Sequence, residues 1–471
     1  YRSTGSTAWN VLSTWEVSSD PNFTSPAPVA ATVLPTATNS DGILIKTGDN
    51  VTLPASILID DLTINGTLTV NPAQTLTILN GTAATDMTVN GSIVNNGTLT
   101  LNTASSLCQI NGTITNNTGG TVTGTAATLT FAAGSTYNHA QNGGVIPTAT
   151  WNATSLVTVT GVVATAPTGF TTQTFGKLTW NSTGQTATLS MAAATITCNG
   201  DFTVVSTGTG QTAFNTTTTT ITLNGDFLMQ GGTFSLCNSA TTTVATINLS
   251  GNFNQSGGTL QRGTSTANQN FNFVNGTLSR TYTQSAGTFT TTGIAFSVVL
   301  NAALTLNSNL SVAASFTNSG TLYCGTNIIS GAGSFTLTNA ATATLGLGDA
   351  GGIATSGATG NIRTTTRTYG IGANIIYNGT TAQVTGTGLA TVWGATNTTV
   401  TINNAAGVSL SQNLAFTAGT NGSLILQDGQ FIIGSNTLTI PTLGTVSTPS
   451  SFSRRKMIVA DGTGQVVKTI P

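Results

Sequence analysis

The chain has 471 residues, of which twelve are acidic, eleven are Lys or Arg, four are Cys and one is His. The chemistry to test first is that of paired carboxylates. Glycoside hydrolysis needs two of them about 5–10 Å apart. A polysaccharide lyase needs a base, usually with acids that hold Ca²⁺. The acids are Glu16, Asp20, Asp41, Asp49, Asp60, Asp61, Asp86, Asp201, Asp226, Asp349, Asp428 and Asp461. Only Asp60 and Asp61 are adjacent, and strand alternation would send them to opposite faces. Asp201 and Asp226 lie one repeat apart and would stack about 5 Å from each other if successive repeats stack. They are a candidate Ca²⁺ pair or part of a polar corner ladder; the next repeats carry Asn252 and Thr277 there.

Other chemistries have fewer resources. A single histidine leaves no Ser-His-Asp triad, and His139, beside Tyr137 and Gln141, is expected in a loop. Cys108, Cys198, Cys237 and Cys324 are far apart, with no Cys-x-x-Cys, so no zinc site is expected. One or two disulfides and buried free thiols are both open. No cofactor is implied. Trp151 and Trp180 share a Thr-x-Trp-Asn context, "TATWNAT" and "KLTWNST". They are candidate glycan-stacking platforms or repeat-specific packing residues. Thr-x-Thr triplets such as Thr128/Thr130, Thr158/Thr160, Thr220/Thr222 and Thr437/Thr439 raise ice binding, which would need the same face in consecutive coils. Asn-x-Ser/Thr sequons, as at Asn65, Asn80 and Asn111, follow from the composition.

The elements that carry these residues are strands. In Thr67-Leu68-Thr69, Thr75-Leu76-Thr77, Thr98-Leu99-Thr100 and Thr113-Ile114-Thr115, an apolar residue sits between two threonines. Period-two alternation sends the aliphatic side chain to one face and both hydroxyls to the other. Asn-Gly pairs punctuate the runs, and these residues tolerate the positive φ of tight turns. Helix signals are almost absent: Glu16 is the one Glu in the chain. Charged residues make up 5% and hydrophobic residues 38%, against roughly 25% charged in typical globular chains. Disorder usually pairs low hydrophobicity with high net charge, and the net charge here is −1. The chain reads as ordered and β-rich, with no electrostatic footprint for nucleic acid and no apolar run long enough for a membrane span.

Repeats set the architecture. Asn199-Gly200-Asp201-Phe202 recurs as Asn224-Gly225-Asp226-Phe227, then as Ser250-Gly251-Asn252-Phe253, then loosely as Asn275-Gly276-Thr277-Leu278. Gly200, Gly225, Gly251 and Gly276 are thus expected to form a structural turn ladder. Alternating pairs precede the first three, Ile196/Cys198, Ile221/Leu223 and Ile247/Leu249, whereas Phe271/Phe273 is displaced by one residue in the fourth. Repeats of about 20–26 residues are too short for a sandwich and fit one coil of a β-solenoid, or parallel β-helix. About eighteen coils stacked at about 4.8 Å would extend on the order of 90 Å.

The ends differ in composition. Residues 1–45 carry Trp9, Trp15, Glu16 and several prolines and read as an N-terminal cap on a solenoid spanning 46–445. Residues 446–471 hold Arg454, Arg455, Lys456 and Lys468. They read as a β-hairpin that is a cap or the start of a following module, in a natural chain that continues beyond Pro471.

"TAWNVLSTWEVSSDPNF", "DGILIKTGDNVTLPASILIDDLTINGTLTV", "TYNHAQNGGVIPTATWNATSLVTVTG" and "MIVADGTGQVVKTIP" together resemble large secreted surface proteins of Bacteroidota. In those proteins a Trp-containing leader precedes Thr/Asn/Gly-rich β-helical repeats. The style is also similar to autotransporter passengers. The Bacteroidota resemblance implies export by the type IX system and a cell-surface or extracellular location, and it supplies no catalytic residues. The expected function is non-enzymatic: a β-solenoid adhesin stalk, or a surface filament or fibre subunit. Its partners would be other copies or adjoining modules at the solenoid ends, and surface glycans. The alternatives are a carbohydrate-binding or polysaccharide-degrading β-helix and an ice-binding protein.

Overall fold

A computed structural model describes residues 1–171, 173–192, 195–274, 279–418 and 420–470. The chain is all-β, a β-solenoid of about 17 turns with coils of about 24 residues. It divides into two compact units, Tyr1–Asn238 and Ser239–Pro471.

In the first unit a coil consists of three short strands. The run Ile43–Ile45, Asn50–Leu53, Ile57–Ile59 is followed by Leu62–Ile64, Thr67–Val70, Thr75–Ile78, then by Met87–Val89, Ser92–Asn95, Thr98–Thr100. Each strand pairs in parallel with its counterpart one coil later. The alternation seen in the sequence sets which face is inside. Ile45, Ile64, Val89, Ile110, Phe131 and Trp151 are successive partners in one ladder, and all are buried. Val51, Leu68, Ile93, Ile114, Tyr137 and Val157 form a second such column. Burying each side chain of this kind contributes about 1.5–3 kcal/mol. A coil cannot form alone, because a single turn leaves its core open above and below.

The Asn-Gly corners stack as well. Asn90 Nδ2 donates to Asn65 Oδ1 at 2.8 Å, and Asn111 Nδ2 donates to Asn90 Oδ1 at 2.8 Å. The glycines beside them are required for a reason other than positive φ. Gly66, Gly91 and Gly112 are absent from the positive-φ residues. A Cβ on Gly91 would run into the Gly66 carbonyl oxygen, and one on Gly112 into that of Gly91. Close approach of one corner to the next fixes glycine there.

The N-terminal segment both begins the stack and folds back over it. Arg2 pairs in parallel with Leu44, and Ala8 with Thr52. Trp15–Val17 and Val29–Ala30 then extend the sheet antiparallel. Trp9 and Trp15 are buried with ring centroids 4.7 Å apart, and the Trp15 indole N–H donates to the Trp9 carbonyl.

The second unit repeats the scheme with an aromatic column. Ile247, Phe271, Phe296, Phe316 and Phe335 are successive ladder partners. The last three rings stack at 6.2 and 5.8 Å. Phe271 and Phe273 pair with Ile247 and Leu249, so the displacement read from the sequence is absorbed after the strand. The expected C-terminal hairpin does not form. Ile458–Val459 pairs in parallel with Phe431–Ile432, and Val466–Lys468 with Leu438–Ile440. Both strands belong to one more coil, because their apolar residues pair with the coil before rather than with each other.

Candidate functional site

Asp201 and Asp226 occupy adjacent corners, each directly after its corner glycine. Asp201 Oδ1 accepts the Asp226 backbone N–H at 3.1 Å, and its other oxygen lies 3.3 Å from Lys177 Nζ. Asn224 Nδ2 donates to Asn199 Oδ1 at 2.9 Å. A Cβ on Gly225 would meet the Gly200 backbone. The Asp201 carboxylate therefore ties one corner to the next. Gly251 is buried in the second unit, and Gly276 lies outside the described residues. Among the described residues, no three His, Cys, Asp or Glu side chains converge as metal ligands.

Trp151 and Trp180 cannot serve as stacking platforms. They are 6% and 0% exposed. Trp151 lies flat on Phe131 at 4.2 Å, and its indole N–H donates to Gln173 Oε1 at 2.9 Å. Trp180 donates to Gln185 Oε1 at 2.9 Å. Their shared Thr-x-Trp-Asn context marks inward strand positions, with glutamines supplying the acceptor that a buried indole needs.

His139 is likewise inside, on the strand Thr136–Ala140 rather than in a loop. Its Nε2 lies 2.6 Å from the Gly143 carbonyl oxygen, which makes that nitrogen the donor. Burial pushes its pKa down, only partly opposed by this hydrogen bond. Cys108, Cys198 and Cys324 are free, and all four cysteines are buried. Burial drives the Cys198 and Cys324 thiols up to about 12, far from the thiolate needed for nucleophilic chemistry.

Two clusters were not anticipated from the sequence. The first is in the second unit. Arg363 pairs with Asp349 at 2.9 Å and donates through Nε to the Gly360 carbonyl. Arg367 donates to the carbonyls of Thr364, Ala354 and Gly357. Buried Asn361 accepts from the N–H groups of Gly348 and Asp349 and donates to the carbonyls of Gly325 and Asn327. These groups fasten the long connection before Ile362–Tyr369. The signal was the Arg-x-x-x-Arg-x-Tyr spacing in a chain with so few bases.

The second cluster is a groove of about 680 Å³ where the N-terminal segment folds against the first coils. Val17, Phe23 and Leu44 give it apolar walls, and Asp41 and Asp61 line it as well. The loop carrying Phe23 is built on Asp20, which accepts from the Thr24 hydroxyl at 2.7 Å and from the N–H groups of Asn22, Thr24 and Ser25. The Thr24 hydroxyl and these backbone donors hold the Asp20 carboxyl well below the usual carboxylate range. Phe23 has φ 57°, costly for a bulky residue, and Arg2 Cζ lies 4.4 Å from its ring centroid. Asp60 and Asp61 each keep one buried carboxylate oxygen without a hydrogen-bond partner. Burial, then the charge of Asp61, raises the Asp60 pKa, with Asp86 and Asp41 adding to it. Asp86 itself is buried and accepts from the N–H groups of Gly81 and Leu107, both at 2.6 Å.

No family model, curated protein or solved structure matches the chain.

Proposed function

We propose that this protein is a non-enzymatic extracellular structural protein, a β-solenoid that acts as an adhesin stalk or as a subunit of a surface filament or fibre. The observation that carries the reading is where the reactive groups outside the N-terminal groove are spent. Asp86 and Asp201 accept backbone N–H groups at corners, His139 and the four thiols are buried, and Asp349 and Arg363 pair to hold a loop. A catalyst instead keeps such groups poised in a cleft. The resemblance to secreted Thr/Asn/Gly-rich surface proteins supports an extracellular setting, as does a surface of Thr and Asn that salt and pH barely alter. The test is incubation with a panel of acidic and neutral polysaccharides. The reading expects no depolymerisation; depolymerisation of any of them would favour the carbohydrate-active alternative.

A specific observation keeps ice binding as a second reading. Thr75, Thr98 and Thr121 are successive partners, as are Thr77, Thr100 and Thr123. They form a two-by-three grid, about 4.8 Å apart between coils and about 6.8 Å along each strand. The grid ends where Thr77 meets Leu58 of the strand before, and Thr123 Oγ1 is engaged by the Leu99 carbonyl and Asn102. Thermal hysteresis that disappears in T98L/T100L would support this reading, and its absence in the wild type would remove it.

A further inference from the structure

We propose that copies of this chain associate head to tail, with the basic turn at Ser453–Lys456 of one copy entering the acidic groove of the N-terminal segment of the next. The inference rests on the structural reading above and names the surfaces it would use.

The two surfaces complement each other. Residues 1–61 carry six acids against two bases, and residues 445–471 carry four bases against one acid. In a chain this poor in charge, that segregation gives the two ends opposite sign. Asp41 and Asp61 line the groove together with the Tyr1 ammonium, which interacts with Asp41, leaving Asp61, with Asp60 beside it, as the excess negative charge, and Val17, Phe23 and Leu44 supply apolar wall. The turn has matching chemistry. Ser453 and Lys456 bond to each other through their backbones, which puts Arg454 and Arg455 at the tip. Arg455 is 69% exposed and only loosely paired with Asp428 at 3.4 Å. Phe452 and Met457 flank the turn and are exposed.

Strand edges favour the same contact. Ile458–Val459 and Val466–Lys468 each end their sheets, with Val466, Val467 and Ile470 exposed. Val29–Ala30 ends the sheet at the N-terminal segment and is also exposed. Open edges of this kind recruit further strands. Tail-to-tail pairing would bring Arg454, Arg455 and Lys456 against their own copies, and like-charge juxtaposition opposes it. A contact between two different surfaces propagates into chains or closes into rings.

Sedimentation velocity of the full chain over a concentration series, at low and high salt, tests this. Wild-type protein should form assemblies that grow with concentration and dissociate as salt screens the contact. The variant R454E/R455E/K456E should remain monomeric. Added in small amounts, it should shorten wild-type assemblies, because its intact groove still accepts a wild-type turn; this also shows that it is folded. Adding D41K to the triple variant should restore association. Wild-type protein that stays monomeric, a discrete dimer, or a triple variant that neither associates nor shortens assemblies would overturn the proposal. Assemblies indifferent to salt and charge reversal would overturn the groove contact while leaving the structural reading standing.

Discussion

Gly91 shows most simply how single residues hold this protein. Its missing Cβ lets the Asn90-Gly91 corner settle directly on the carbonyl of Gly66. G91A should therefore lose about 1–3 kcal/mol, the usual cost of overpacking, measured as a lower urea midpoint. A glycine serving a positive φ would show the same sign, but Asn could relieve it; here G91N should be at least as damaging as G91A. The titrating groups give a pH profile with a worked sign. The folded-state pKa of buried thiols is raised from 9.0 to about 12, so their contribution is complete below pH 9 and is lost as pH rises from 9 towards 12. His139 is depressed from 6.5, so its contribution is complete above that value and is lost as pH falls below it. Urea midpoints should be flat between about pH 7 and 8.5, falling on both sides. H139Q should flatten the acid limb, and native protein should resist thiol alkylation at pH 8 until unfolded.

At the scale of the element, a coil is defined by its register, and the register was largely legible. Thr-Leu-Thr triplets and Asn-Gly pairs specified which residues face inward and where each strand stops, and Gly200 to Gly225 gave the coil length. What was not legible depends on which neighbour a residue meets. Trp151 and Trp180 sit at inward positions of their strands, whereas their residue type alone left both a stacking platform and a packing role open. The segment 457–470 carries hairpin-like turn residues, but its strands find better partners in the preceding coil. The groove was invisible because it joins Phe23, Asp41 and Asp61 only through the fold-back of the first strands. A register argument makes a direct prediction. Excising residues 87–107 removes one coil and brings Cys108–Ile110 onto Leu62–Ile64, which Met87–Val89 now separates. The shortened chain should still fold with native β-sheet circular dichroism and a somewhat lower midpoint, because each coil contacts only its neighbours. Truncating a column residue should cost more: W151A should lose about 3–5 kcal/mol, as for other buried Trp-to-Ala changes.

At the scale of the whole molecule, stability comes from parallel backbone ladders and apolar columns, with little from ions. The ion pairs among the described residues are all partly exposed, and such pairs contribute about 0–1 kcal/mol each. Such a chain suits an exposed surface structure, whose environment changes in salt and acidity. Electron microscopy of the native material tests the proposed structural role most directly. The account predicts continuous fibres or stalks built from this chain, with a coil spacing of about 4.8 Å. Dispersed single copies whose thermal stability rises with an added saccharide would contradict it.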